Sequence, residues 1–209
     1  LFLVLIRDDA PDVSGDAHVN FRSVFKLIPL LLLSGAMAGL ANGSAWSFLS
    51  LYGLQVGLQE AAAVLTTSVH LFGGLMLQFP IGWLTDRMPG PALLAATGAV
   101  GAAATAAIWV AGAGSWVFWL AIFLVGGCTM GIYTVTLASL GRRFARGGMA
   151  AANSAFIMCF EIGILMGGPV TGAAMQLLGT PGLLVMMGGG CAMVALAGLL
   201  GRSRRMVTS

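Results

Sequence analysis

Two ionisable side chains stand in the middle of long apolar runs, His70 and Glu161. His70 lies about ten residues from the end of its run, roughly 15 Å deep at helical rise, and Glu161 about twelve residues in, roughly 18 Å. A charge near a bilayer centre costs on the order of 3 kcal/mol, so such a group faces a cavity, takes a partner or gives up its charge. Glu161 is suited to carrying a proton or holding a cationic solute, and a protonated acid donating one hydrogen bond to a neighbouring helix fits the same place. Ser154, Glu161 and Gly168 recur every seven residues and share one helix stripe, with Asn153 beside it. Histidine as a residue type can take up or release a proton, so His70 suits proton or substrate binding, or a helix–helix hydrogen bond. Gly73 and Gly74 follow it, and Gln78 stands two turns along and about 80° round. Asn42 sits with Ser44 and Trp46 among small residues, and Thr129, Tyr133 and Thr136 form a polar stripe by their spacing of four and three. The expected substrate and proton site is thus Glu161, His70, Asn42, Tyr133, Asn153 and Gln78. No His, Cys, Asp or Glu cluster has metal-ligand spacing, so neither metal nor cofactor is expected.

The elements that carry these residues follow from composition. Of 209 residues 58% are hydrophobic and 8% charged, where a soluble domain has about 25% charged. A water-soluble enzyme, a nucleic-acid binder and a disordered tail are excluded. The 31 glycines follow no collagen period and suit closely packed membrane helices. Six stretches reach the roughly 20 apolar residues a spanning helix needs: Val24–Tyr52, Ala61–Leu84, Pro91–Ala113, Ser115–Leu140, Met149–Leu178 and Pro181–Gly201. They are continuous and do not alternate, against a β-barrel. Cys128, Cys159 and Cys191 lie within them and read as small buried hydrophobes. Residues 1–6 read as the end of a preceding membrane helix, the chain being a fragment, and 7–23 as a solvated linker with four of the seven acids and His18. The six-helix bundle then runs over 24–201, with a basic tail at 202–209.

Lys and Arg favour cytoplasmic loops. Arg7, Arg22 and Lys26 precede the first span; Arg87 follows the second, Arg142, Arg143 and Arg146 the fourth, and Arg202, Arg204 and Arg205 the sixth. The loops after spans one, three and five have none. Both ends are expected in the cytoplasm, in a plasma membrane (the inner one of a bacterium), and the positive charge is not a nucleic-acid patch.

The loop Gly82-Trp83-Leu84-Thr85-Asp86-Arg87-Met88-Pro89-Gly90 resembles the Gly-x-x-x-Asp-Arg-x-Gly-Arg-Arg signature of the major facilitator superfamily (MFS). It departs at Pro89, which moves the later glycine to Gly90, and at Pro91 and Ala92, which replace the final arginines. The resemblance implies an all-α integral membrane fold, six helices forming the C-terminal half of a twelve-helix transporter. The N-terminal half of the same protein would be its partner. It makes Gly82, Asp86, Arg87 and Gly90 a conformational latch. Gly168-Pro169-Val170-Thr171-Gly172 resembles the Gly-Pro-x-x-Gly element of the superfamily's antiporters and implies a kinked gate; proline there removes a helical hydrogen bond. Spans two and five also repeat at an offset of 90 residues, pairing Gly73 with Gly163 and Gly82 with Gly172, and Pro80 with Pro169 one residue off. In the superfamily the first, second, fourth and fifth helices of a half line the cavity. The polar residues above fall on those four, while spans three and six hold nothing more polar than Thr97, Thr105 and Cys191. The implied function is secondary transport of a small organic solute by alternating access in the lipid bilayer, proton-coupled and directed outward, with no catalytic residue. The alternatives are an uncoupled facilitator, an intramembrane protease using Ser44, Asn42 and His70, and a non-transporting scaffold.

Overall fold

In a computed structural model, residues 25–144 and 148–207 are described, the side chains of 204–207 excepted. The expected helix end at 1–6, the linker at 7–23 and Arg146 lie outside them. The described residues form six long helices and no strand: α1 (Pro29–Gln55), α2 (Glu60–Thr85), α3 (Gly90–Val110), α4 (Trp116–Arg143), α5 (Met149–Leu178) and α6 (Pro181–Val207). Helix α1 begins at Pro29, later than the apolar run, because proline suits the first helical position, where its missing N–H leaves no bond unmade. Helix α6 continues past Gly201, where the apolar run ends, because arginine is a good helix former and leaving the apolar layer does not end a helix. The break between spans three and four is fixed by Gly114, at φ +77°, and by the Ser115 hydroxyl, which accepts the Phe118 N–H at 3.2 Å and caps α4.

Five helices, α2 to α6, are long and apolar enough to cross a membrane. At 27 residues α1 is long enough, but its Asn, Ser and Gly content keeps its mean hydropathy below theirs. The Lys and Arg whose side chains are described (Lys26, Arg87, Arg142, Arg143 and Arg202) all fall at one end of the bundle, where α1 and α3 begin and α2, α4 and α6 finish.

The helices pair across the two triplets: α1 packs chiefly on α5, α2 on α4, and α3 on α6. Exchanging α1–α3 for α4–α6 maps the first pair onto the second and the third onto itself, and carries the lesser contact of α1 with α6 onto that of α4 with α3. Each pair is closed by glycines acting in both directions. A Cβ on Gly39 or Gly43 of α1 would strike the backbone at Phe160 or Ile164, and one on Gly163 or Gly167 of α5 would strike Ala36 or Gly43. Gly73 meets the Phe123 carbonyl while Gly126 meets that of His70; Gly98 meets Cys191 and Ala195 while Gly198 meets Pro91 and Ala95. Gly73 and Gly163, matched by the 90-residue offset, therefore do the same work. Gly82 and Gly172 do not: nothing lies within 4 Å of a Cβ at Gly82, whereas at Gly172 it would meet Phe48 at 3.4 Å. Helices α2 and α5 are the least covered, 28% of their apolar stretch lying inside the bundle against 44–61% for α3, α4 and α6.

Candidate functional site

Three helices meet at Asn42. Its side chain is fully buried on α1, and its Nδ2 donates to the Ala38 carbonyl at 3.0 Å. That commitment fixes the amide orientation, since the flipped form would set oxygen against oxygen. Asn42 Oδ1 then accepts from Thr129 Oγ1 of α4 at 3.2 Å and faces His70 Nε2 of α2 at 3.3 Å. Because Oδ1 can only accept, Nε2 carries the proton and Nδ1 presents a lone pair. His70 is 1% exposed, and Nδ1 has no partner among the described residues. Backbone packs closely around the group: the Val125 and Gly126 carbonyls, each 3.0 Å from Thr129 Oγ1, are alternative acceptors for its single hydroxyl proton, and Gly126 lets α4 lie against the His70 backbone.

Beside this group a cavity of about 180 Å³ is lined by Asn42, His70, Gln78 and Met130 together with Leu71, Gly74 and Leu75. It has room for several water molecules or one small polar group. Its floor is polar and directional; its walls are apolar. That is the composition of a small-solute site, in which few polar groups set orientation.

The structure thus brings Asn42, His70 and Gln78 together and adds Thr129. It places Tyr133, Asn153 and Glu161 elsewhere. Tyr133 packs its ring on Phe156 and Phe160, at centroid distances of 5.1 and 4.9 Å, where α4 passes α5. Asn153 is half-buried, with its Oδ1 unpartnered among the described residues. Glu161 follows Phe160 directly and is exposed on α5, on the stripe with Ser154 and Gly168, and no donor reaches it among the described residues. It lines the outer surface of this bundle and not the Asn42 cavity.

The Gly-Pro-x-x-Gly stretch, Gly168 to Gly172, lies where α5 crosses α1. Thr171 donates to Ser44 Oγ at 2.6 Å, and Ser44 donates to the Leu40 carbonyl at 2.7 Å. Pro169 stands inside α5, and a Cβ at Gly168 would sit 3.2 Å from Ser47 Oγ. Ser44 is therefore tied to Thr171 and not hydrogen-bonded to His70, the pairing that a serine nucleophile there would call for.

In the loop after α2, Asp86 and Arg87 are exposed. Arg87 lies over the Trp83 ring at 3.6 Å and donates to the Trp83 carbonyl at 3.4 Å; no donor reaches the Asp86 carboxylate among the described residues. Arg142, at the end of α4, donates from Nη1 to the Thr85 carbonyl at 2.9 Å and so caps α2. Gly90 is needed where α3 starts, since a Cβ there would strike Ser139 Oγ. Sequence reasoning missed three of these contacts. Trp83–Arg87 was legible in its four-residue helical spacing; Arg142–Thr85 and Ser44–Thr171 link distant positions and left no local trace.

The sequence pattern of the Major Facilitator Superfamily matches residues 31–207. The chain is also similar to an uncharacterised MFS-type transporter of Yersinia enterocolitica, with 27% identity over 192 residues, covering 92% of this chain and 48% of that protein. The chain thus spans about half the length of the curated relative it matches.

Proposed function

The chain belongs to the major facilitator superfamily, and from that premise we propose that it is one half of a secondary transporter moving a small organic solute by alternating access. It is an integral membrane protein, and the other half, N-terminal in the same protein, covers the open faces of α2 and α5. The observation that carries the reading is the buried Asn42–His70–Thr129 group beside its cavity. It ties together α1, α2 and α4, and it leaves an imidazole lone pair unused in a setting where unpaired polar groups are costly. Such a group has a reason to persist if a solute or a proton completes it.

The proposed transport is proton-coupled and outward across a plasma membrane, with both ends of the segment in the cytoplasm. Glu161 serves as the proton carrier at the surface between the halves, where Tyr133 and Asn153 stand on the same pair of helices. His70, Asn42 and Gln78 hold the solute. Asp86 and Arg87, with Gly82 and Gly90, form a latch against the other half; Gly168, Pro169 and Gly172 let α5 bend as the halves rock.

The test is reconstitution of the full-length protein in liposomes loaded with a pH dye, screening drugs, sugars, amino acids and organic acids with Glu161→Gln in parallel. A compound that dissipates the pH gradient only with Glu161 intact is the expected result. A compound that crosses in both versions without proton movement makes the protein an uncoupled facilitator. Passage of no compound leaves a membrane scaffold.

A further inference from the structure

A second cavity, of about 910 Å³, opens at the charged end of the bundle. It shares no lining residue with the Asn42 cavity and reaches inward between α1, α3, α4 and α6. Its inner walls are apolar, among them Leu31, Leu94 and Ala197, and its mouth holds Arg142 and Arg143. Arg142 spends one of its five donors on the Thr85 carbonyl, and the Arg143 side chain has no partner among the described residues. Arg87 also lines the mouth but is engaged with Trp83. Among the described residues the acid that lines it is Asp86, so three cations there face one carboxylate.

From this arrangement we propose that the cavity holds an anionic phospholipid, its headgroup phosphate on Arg142 and Arg143 and its upper acyl chain along the walls. A guanidinium fork matches a phosphate bidentately. The volume falls in the range of small-molecule sites, about 300–1,000 Å³. A free phosphate ion would meet the cations but leave the apolar interior empty; an uncharged apolar molecule would fill the interior and leave both arginines unused. Only an amphiphile satisfies both ends. The inference does not depend on transport.

Native mass spectrometry of the detergent-purified protein tests it, with phosphatidylglycerol and phosphatidylcholine offered together and glycerol phosphate added in a second arm. One retained phosphatidylglycerol, preferred over phosphatidylcholine, is expected. Arg143→Gln, which leaves the Arg142–Thr85 bond in place, is expected to weaken that preference about fivefold, and Arg142→Gln with Arg143→Gln about 25-fold, at about fivefold for each cation near an anionic surface. Arg202→Gln removes a charge from the same end but not from the cavity and is expected to leave the retained lipid in place. Equal loss in Arg202→Gln and Arg143→Gln would reduce the effect to diffuse attraction and overturn the proposal. So would displacement by glycerol phosphate, which would mark a site for a soluble phosphate. Melting curves on each variant separate lost binding from lost fold, and Arg143→Gln alone decides the matter if the double variant fails to fold.

Discussion

At the scale of single residues, Asn42 is the hinge of the candidate site, because its one oxygen serves donors from two other helices. Interhelical hydrogen bonds in membranes are worth about 0.6 kcal/mol on average and about 1.7 at most. A double-mutant cycle of Asn42→Ala and His70→Ala in denaturant unfolding is therefore expected to give a coupling energy in that span; zero coupling would dissolve the pair. Asn42, His70 and Gln78 were legible in the sequence because a polar side chain in an apolar run is conspicuous. Their meeting was not, since it depends on the register of α1 against α2. The separation of Glu161 from them was equally hidden: stripe arithmetic places it on one face of α5 but does not say which neighbour that face meets.

At the scale of elements, the helices were readable from length and hydropathy, and their ends were less so, because proline at Pro29 and arginine beyond Gly201 act on the backbone and not on hydropathy. What the glycines do was readable only in part. Overpacking a closed contact costs typically 1–3 kcal/mol, whereas removing a helical glycine from open space stabilises by roughly 0.5–1 kcal/mol. Gly73→Ala and Gly163→Ala are thus expected to lower the melting temperature in detergent, by similar amounts since they occupy equivalent contacts. Gly82→Ala and Gly141→Ala, each with nothing within 4 Å of the added Cβ among the described residues, are expected to hold or raise it. A drop at Gly82 matching that at Gly73 would refute the assignment.

At the scale of the whole molecule, the charge pattern was the most legible feature, because loops carry it in the sequence and the fold merely gathers alternate loops at one end. In sealed vesicles with the outer face exposed, an impermeant maleimide is expected to label Gln59→Cys and Ala113→Cys and to spare Met88→Cys and Gly141→Cys; the opposite pattern would invert the orientation. The native thiols interfere little, since Cys128 and Cys191 are buried and Cys159 is partly so. The lone faces of α2 and α5 were not legible, as nothing in a run of apolar residues distinguishes a side that meets lipid from one that meets protein.

The crossed pairing of the triplets also sets a timetable for biogenesis. Each of the first three helices has its main partner among the last three, so a nascent chain places α1, α2 and α3 in the bilayer before those partners exist. About 120 residues separate the end of α1 from the end of α5, which at 5–20 residues per second is about 6–25 s of synthesis. Throughout that interval the glycine faces of α1 stand open to any other helix of the translocation machinery. The newborn bundle is most exposed to mispairing and to quality-control proteases before its fourth helix emerges, and a stop codon after α3 is expected to leave three helices without their main partners.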